Sequence, residues 1–456
     1  MAVDVTEAVD GARFRPLHAW LFLAAVGGTL LDGVSVFMTG LAVPLLRAQF
    51  AMGPTEVGLL GSALVLGAVF GAVIGGHLSD RLGRKDVFLA DMALLAVAAL
   101  VLTLADSVAW VLIGQLLIGT AIGMDFPAAS AYVAETMPAA ERQKMVVGTI
   151  TFQAVGMVLA SFLGVWLLSL SGQEEAWRLL FAAIAVVAVL FFALRLTLPE
   201  SPHWLVEHGR TAEAVRVAQR LNPAQTISAP ATADRDQAPV EHGYGALFGP
   251  AFLRLTILTS GSWFLMDIAT YGVGIFTPVI LQSLDPASGV DSTLVYREIH
   301  VGRASGLVDL FLLLGFLMGI WLVPRVGAIR MQAAGFAGMV AGMLVLAWVS
   351  GLPTADAARG HVVILGFVLF NLAMNMGPNS TTFTLPAILY PTRLRATAGG
   401  FAAACAKAGA TLGTFFLPDL RAAYGTTAML LVLAVVAALG MAVTLAFRPV
   451  AARGTA

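Results

Sequence analysis

Three side chains able to hold a polar ligand recur at every fourth position of an otherwise apolar stretch. Trp263, Asp267 and Tyr271 lie in the run SGSWFLMDIATYGVG, and on an α-helix this spacing places them on one face. A carboxylate is costly in hydrocarbon and usually faces the interior of a helix bundle or a water-filled cavity. The spacing therefore predicts the wall of a polar pocket in which Asp267 needs a cationic partner.

The predicted partner is Lys407. Of the three lysines, Lys85 and Lys144 lie in short polar connections, whereas Lys407 lies within the apolar run FAAACAKAGATLG. We therefore expect Lys407 to be the one buried cation, able to hold an anion beside a carboxylate that takes a proton. The alternative is that Asp267 and Lys407 only tie helices together, because hydrogen bonds between membrane helices stabilise modestly.

The composition predicts the elements that position these residues. The chain has 456 residues, of which 59% are hydrophobic and 12% charged, with a mean hydropathy of +0.87. Apolar runs of about 20 residues cross a bilayer as helices, so the chain is predicted to be an all-α membrane protein. Twelve such runs can be drawn, at about residues 18–46, 55–80, 86–106, 108–135, 143–169, 177–198, 251–282, 302–323, 327–350, 360–389, 395–417 and 424–447.

The distribution of basic residues predicts the orientation. Most arginines, including Arg195 in the central connection, fall on the side of the predicted helices that also carries both termini, and the positive-inside rule makes that side cytoplasmic. We expect a multi-pass protein of the inner (plasma) membrane without a removable signal peptide. The predicted units are a cytoplasmic tail at 1–17, six-helix bundles at 18–198 and 251–447, a cytoplasmic linker at 199–250 and a cytoplasmic tail at 448–456.

The linker is predicted to carry little chemistry. It includes the amphipathic helix TAEAVRVAQRL, which Thr211 is expected to cap. The Ala-, Pro- and Thr-rich stretch after that helix is expected to be flexible.

Three further polar side chains lie inside predicted spans. Asp32 is the single charge of the first span, Asp125 lies deep in the fourth beside Pro127, and Gln153 lies in the fifth. Each of the two acids is a candidate proton carrier. For Asp32 and Gln153, pairing with a neighbouring helix is an equal alternative.

Several classes of function find no support. No nucleotide-binding loop, metal-ligand cluster or nucleophile–base pair stands out, so neither an enzyme nor a bound metal or cofactor is predicted. A net charge of −1 gives no reason to expect nucleic acid. Cys405, the single cysteine, excludes an intramolecular disulfide and is expected to be a small packing residue.

The connection GGHLSDRLGRK resembles the gating loop of the major facilitator superfamily, whose pattern is G-x-L-x-D-R-x-G-R-K. The matching positions are Gly76, Leu78, Asp80, Arg81, Gly83, Arg84 and Lys85. The resemblance implies two six-helix bundles related as repeats, with a substrate site between them near the membrane midplane. The segment PESPHWL is similar to the PESPRWL signature of sugar and phosphate porters, with His203 replacing the arginine.

Within that superfamily, the runs GSWFLMDIATYGVG, MGPNSTTFTLPAILYPTRLRATAGG and AAACAKAGA resemble the phosphate:proton symporters. The resemblance implies proton carriers at Asp32 and Asp125, with Asp267 coupling the proton to the anion. It implies a phosphate pocket formed by Gln153, Trp263, Asp267, Tyr271, Asn379 and Lys407. Phe126 stands in that pocket where the family usually has a tyrosine, so one phosphate-facing hydroxyl is lost.

Together these features predict a monomeric, proton-coupled symporter that imports inorganic phosphate or a related small anion. Because Phe126 removes a hydroxyl, and because Gln115 and Ile388 also depart from the usual pattern, a symporter of aromatic or hydroxy-carboxylic acids is the alternative. A sugar porter would have no evident use for Lys407 and Asp267. A non-transporting nutrient receptor is a further alternative, against which the retained gating motif argues.

Overall fold

The computed structural model describes residues 3–171, 174–228, 243–274, 294–350 and 358–448. Within these ranges the chain is helical, apart from one isolated parallel bridge between Val3 and Ile227. Eleven described segments are long and apolar enough to cross a membrane. The predicted span 251–282 is described only as far as Gly274. The predicted all-α membrane fold is confirmed.

The first half contains the helices of the N-terminal bundle. Their bounds are α1 Val5–Asp10, α2 Pro16–Ala25, α3 Gly27–Gln49, α4 Pro54–Leu82, α5 Arg84–Thr103, α6 Val108–Thr136, α7 Ala139–Ser171 and α8 Trp177–Arg195, with a 3₁₀ turn at Glu174–Ala176. Helices α2 and α3 form one span that is interrupted at Val26. Beyond the interruption, Gly28 lies so close to the carboxylate of Asp125 that no side chain would fit there.

The N-terminal tail and the linker pack together. The linker carries α9 Pro202–Glu207, α10 Thr211–Leu221 and α11 Tyr244–Leu247. The Val3 amide donates to the Thr226 carbonyl at 3.1 Å, and the Asn222 side chain donates to the Ala8 carbonyl at 2.9 Å.

Two expectations about the linker are affected by these bounds. Thr211 does not cap α10: it is the first residue of the helix, the cap position is Arg210, and no side chain caps the end. The expectation of flexibility falls on residues 229–242, outside the described residues.

The second half begins with α12 Leu253–Thr256, which continues through a π-helical turn at Ile257–Gly261 into α13 Ser262–Gly274. The remaining elements are α14 Leu294–Val326, α15 Ala328–Ser350, α16 Ala358–Met374, a π-helical turn at Asn375–Asn379, α17 Ser380–Leu389 and α18 Thr392–Ala446. Helix α18 bends sharply at Gly425, where φ is +82°. A positive φ suits glycine, and the bend lies near the predicted boundary between the last two spans.

The two halves meet along two helix pairs in which small residues allow close approach. Gly76 on α4 lies against the Ala396 carbonyl on α18, and Gly306 on α14 lies against Ser161 on α7. Small residues at such crossings let the backbones of membrane helices come together. The space between these two contacts forms a cavity.

Candidate functional site

A cavity of about 710 Å³ lies between the two halves. Most of its lining is apolar or aromatic, with a small number of polar side chains. The lining includes every predicted substrate-binding residue: Phe126, Gln153, Trp263, Asp267, Tyr271, Asn379 and Lys407. It also includes Asp32, so the structure brings together residues that are nearly 400 positions apart.

Lys407 lies at the polar centre of the second-half wall. Its Nζ is 3.3 Å from the Tyr271 hydroxyl and 3.6 Å from Asp267 Oδ2. Charge-assisted hydrogen bonds are usually 2.7–2.9 Å long, so the contact with Asp267 is an electrostatic pairing without a tight bond. Within the described part of the chain, Asp267 Oδ2 is buried and has no hydrogen-bond partner. Both charged groups therefore keep capacity for a further partner.

Aromatic rings surround this pair. The Lys407 ammonium lies 5.4 Å from the ring centre of Tyr271 and 6.0 Å from that of Phe126, distances at which a cation is attracted by a ring face. Phe126 packs edge-on against Phe383 at 5.9 Å, and Trp263 packs against the same ring at 6.3 Å. Phe126 thus supplies an apolar surface to the pocket.

Asp32 and Gln153 form the polar part of the opposite wall. Gln153 Nε2 donates to Asp32 Oδ2 at 2.5 Å, which links α7 to α3. Asp32 is buried. The pair therefore makes the interhelical contact that the sequence left as an alternative, while both residues also line the cavity.

A ladder of asparagines continues the wall through the second π-helical turn. Asn379 Nδ2 donates to Asn375 Oδ1 at 2.8 Å, and Asn375 Nδ2 donates to the Asn371 carbonyl at 2.8 Å. All three line the cavity. Sequence reasoning identified only Asn379, although the four-residue spacing in NLAMNMGPN was a signal for the other two.

Asp309 on α14 was also missed by sequence reasoning. Its side chain lines the cavity and its residue is 5% exposed. Its Oδ2 is buried and accepts no hydrogen bond from any described residue. A single acid inside the predicted eighth span was the signal that could have found it.

The structure places Asp125 away from the cavity lining, inside the N-terminal bundle. Its Oδ1 accepts from Arg195 Nη2 at 2.6 Å, and its Oδ2 accepts from the Thr29 hydroxyl at 3.3 Å. Arg195 also donates to Asp91 at 2.8 Å and stacks over the Phe88 ring at 4.2 Å. The proton-carrier role of Asp125 stays a prediction, and it now concerns an ion-paired residue.

The expectation that Lys407 is the one buried cation is wrong. Arg84 and Arg195 are fully buried, whereas the Lys407 side chain is 17% exposed. Arg195 lies inside the N-terminal bundle at the end of α8, and not on the surface of the central connection. Two carboxylates and the main-chain carbonyls of Ala24 and Ala25 satisfy its guanidinium. A buried charge is tolerated when it is paired and hydrogen-bonded in this way.

The predicted gating motif joins the two halves at one end of the bundle, which we call the Asp80 end. The Asp80 carboxylate accepts from the amides of Thr397 and Ala396 at 2.7 and 3.3 Å, across the boundary between halves. Arg84 Nη2 donates to the Thr392 carbonyl at 2.9 Å.

Glu135 completes this connection. It accepts from Arg84 at 2.9 Å and from Arg395 of the other half at 3.0 Å. The cavity is therefore closed at the Asp80 end, and its lining extends the other way to Gly40, Leu64 and Thr414.

The remaining motif residues have lesser contacts. Arg81 approaches His77 at 3.5 Å, Lys85 Nζ donates to the Leu196 carbonyl at 3.0 Å, and Gly83 has a φ of +115°. Such a φ favours glycine at this turn between α4 and α5.

The PESPHWL segment supports the motif from the linker side. Glu200 accepts from the amides of Arg84 and Lys85, both at 3.1 Å, and burial raises the pKa of its carboxyl. Trp204 Nε1 donates to the Asp80 carbonyl at 2.9 Å, while His203 Nδ1 lies 2.8 Å from the Glu135 carbonyl. The linker thus holds the turn that carries Asp80 and Arg84.

Comparison with known proteins agrees with this architecture. The profile of the family described as "Sugar (and other) transporter" matches residues 20–453. The chain is 25% identical over 440 residues to the putative metabolite transport protein YaaU of Escherichia coli, covering 96% of this chain and 94% of that protein. It is 27% identical over 485 residues to the probable inorganic phosphate transporter 1-6 of Arabidopsis thaliana, covering 97% and 93%.

Among solved structures, the proton:xylose symporter XylE of E. coli, bound to 6-bromo-6-deoxy-D-glucose, superposes with a TM-score of 0.79. The match has 20% identity and covers 95% of this chain and 96% of that one. At this identity the likeness establishes the fold alone. The helical fold is thus shared with a solved transporter.

Proposed function

This chain belongs to the sugar (and other) transporter family of the major facilitator superfamily, and we propose that it is a proton-coupled symporter of a small anion. Members of this family are membrane transporters and not enzymes. The proposed symporter works by alternating access in the inner (plasma) membrane, with both termini in the cytoplasm, as a monomer. Inorganic phosphate is the first candidate substrate. Relatives named as inorganic phosphate transporters support this choice.

The observation that carries the proposal is the loose pairing of Lys407 with Asp267. An anion entering the cavity meets the Lys407 ammonium, which lies 3.6 Å from Asp267 Oδ2 and 3.3 Å from the Tyr271 hydroxyl. A bound anion repels an ionised Asp267, so anion binding favours protonation of that carboxylate. By linkage, protonation then favours anion binding by the same factor, which couples the two cargoes.

Asp32 provides a second protonation site on the opposite wall. The hydrogen bond that Asp32 accepts from Gln153 stabilises its ionised form. An anion held between the walls repels that ionised form. Protonation of Asp32 frees the Gln153 amide to donate to the anion instead. Anion binding would thereby favour protonation of Asp32 on the first-half wall, as it favours protonation of Asp267 on the second-half wall.

The contacts at the Asp80 end supply the gate. In this structure they hold the two halves together there, so release of the substrate to the cytoplasm requires the Asp80 and Glu135 bonds across the boundary to break. The small-residue contact of Gly76 with Ala396 lies at the same end and would separate with them.

A carboxylic acid is the second candidate substrate. A cavity of about 710 Å³ falls in the range of roughly 300–1,000 Å³ found for sites that enclose drug-sized ligands. Phe126, Phe316 and Phe370 supply apolar lining that inorganic phosphate does not need. Both features favour an organic anion with an apolar body.

Uptake into proteoliposomes tests the proposal. Labelled phosphate and labelled benzoate are supplied with an imposed inward proton gradient, and each is measured again after a protonophore collapses the gradient. Gradient-dependent accumulation of either anion supports symport and identifies the better substrate. Uptake that is indifferent to the gradient rules symport out.

A further inference from the structure

Asp309 stands apart from the other acids of the cavity. Asp32 accepts a hydrogen bond from Gln153, and Asp267 faces the Lys407 ammonium. Asp309 lines the same cavity, yet its buried Oδ2 has no partner among the described residues. A buried acceptor left without a donor costs about 1–3 kcal/mol, and a charged one costs more. A group that arrives with the substrate would remove that cost.

The packing of α14 against α7 fixes the level of Asp309 in the cavity. Gly302 lies against Val165 and Gly306 lies against Ser161, so the two helices run antiparallel in this register. Continuing the register brings Asp309 to the level of Met157, which also lines the cavity.

This level is displaced from the polar centre of the site. Gln153 lies one helical turn from Met157 towards the Asp80 end, which is about 6 Å at 1.5 Å per residue. In the same direction along α14, Gly315 lies against Asn375, six residues or about 9 Å from Asp309. Asp309 therefore lies on the side of the cavity away from the Asp80 end. A compact ion held at Lys407 does not extend to it.

The surface between the two levels is mostly apolar, with Asn371 as a polar exception. Asp309, Leu312 and Phe316 line the cavity at positions i, i+3 and i+7 of α14, so they share one face of the helix. Phe367 and Phe370 line the cavity from α16. A mostly apolar stretch thus separates the polar centre of the site from an unpartnered carboxylate at another level.

We propose that Asp309 forms a second subsite, which accepts a hydrogen bond from a hydroxyl or ammonium group on the far end of an organic anion whose acidic group is held at Lys407. This inference rests on the proposed anion transport and narrows its substrate class. Asp309 then discriminates between organic anions by the presence of a remote donor. A site built to pair with a donor rejects the analogue that lacks it, because its own polar group stays unsatisfied.

Paired ligands test the subsite by competition. Benzoate, 4-hydroxybenzoate and 4-(aminomethyl)benzoate compete with the transported anion in proteoliposomes containing the wild-type protein, Asp309→Asn or Asp309→Leu. In the wild type we expect the two donor-bearing acids to bind at least tenfold more tightly than benzoate. In Asp309→Leu we expect that preference to vanish, and in Asp309→Asn to shrink. Leu310→Ala, at the neighbouring position on the exposed face of α14, should keep it.

The outcomes separate this inference from the proposed function. Equal or absent binding of the paired acids in the wild type overturns the subsite, as does a preference that survives in Asp309→Leu. Size-exclusion profiles and melting temperatures show that each variant is folded. Loss of gradient dependence with the donor preference intact would overturn proton coupling while leaving the subsite in place.

Discussion

The ammonium of Lys407 lies 3.6 Å from Asp267 Oδ2, too far for a charge-assisted hydrogen bond and close enough for strong attraction. In the proposed anion symport, a pair held at this distance would leave room for the anion to bind the ammonium without first breaking a bond between the two side chains. The carboxylate would stay buried meanwhile.

Lys407→Ala should abolish anion uptake. Losing one partner of a buried charge pair costs about 2–5 kcal/mol, so we expect affinity to fall by roughly 100-fold or more. Uptake of labelled substrate into proteoliposomes measures it. Lys144→Ala is the matched control, because that lysine pairs with Glu141 on the surface. Normal uptake by Lys407→Ala would show that the pocket is misassigned.

Asp267→Asn should separate binding from proton coupling. The amide resembles the protonated acid, so the variant should bind the anion and exchange it across the membrane. It should fail to accumulate the anion in response to a proton gradient. Counterflow and gradient-driven uptake are compared on the same proteoliposomes, with the exposed Asp419→Asn as control. Undiminished accumulation by Asp267→Asn would assign the coupled proton to another group.

Asp125→Ala should act first on stability. Removing one partner of a buried ion pair costs about 3–5 kcal/mol, and here it leaves Arg195 with only Asp91 as a carboxylate partner. The melting temperature in detergent should fall markedly, whereas Asp32→Asn should change it little. An unaltered melting temperature together with lost coupling would instead favour a proton-carrier role for Asp125.

Asp80→Ala should weaken closure at the Asp80 end. A hydrogen bond to a charged group contributes about 1.5–3 kcal/mol, so losing the bonds to α18 should shift the equilibrium between closed and open by roughly tenfold or more. Thr397→Cys in a Cys405→Ala background reports the opening by its rate of thiol labelling. Arg81 approaches His77 of the same helix at 3.5 Å, so Arg81→Ala should leave the rate unchanged. Equal rates in Asp80→Ala and the parent would contradict a gating role.

Glu207 should make stability depend on pH. Desolvation, assisted by the charge of Glu135, raises the pKa of its carboxyl from 4.5 to about 7. The folded state therefore binds the proton more tightly than the unfolded state, and stability present below about pH 4.5 is lost as pH rises towards 7. Glu207 is exposed at the protein surface, so solvent screens much of this effect. Because Gln stays neutral, Glu207→Gln should melt only roughly 1–3 °C above the wild type at pH 8.

The comparison at low pH completes this test. At pH 5 the gap between Glu207→Gln and the wild type should be small. Glu213→Gln on α10 provides the control, since that carboxylate is exposed and pairs with Arg210. Equal gaps at pH 5 and pH 8 would show that Glu207 is not the titrating group.

The sequence was sufficient to place the second-half wall of the cavity. Trp263, Asp267 and Tyr271 repeat at the helical period, and Lys407 is an evident exception in an apolar run. Those patterns identify residues that share a face. They do not say which neighbour the face meets. For this reason Asp125 and Asp32, both acids inside apolar spans, proved to lie in different surroundings.

The partners of Arg195 could not be predicted for a related reason. An arginine at the end of a span is typical of a headgroup anchor. Only the packing of α8 against α5 brings Asp91 to Arg195 and lets the guanidinium reach Asp125 on α6. Asp309 gave the same signal as Asp32. Its significance depends on having no partner, which no pattern in the sequence expresses.

One residue of the proposed gate contacts the linker and the second half with different atoms. The main-chain carbonyl of Asp80 is held by Trp204 of the linker, while its carboxylate reaches the amides at the start of α18. When the halves separate, the hydrogen bonds to the Asp80 carboxylate break, whereas the hydrogen bond to its carbonyl can remain. A substitution of the Asp80 side chain can therefore change the strength of the contact between the halves, while the linker still holds the backbone of this turn in place.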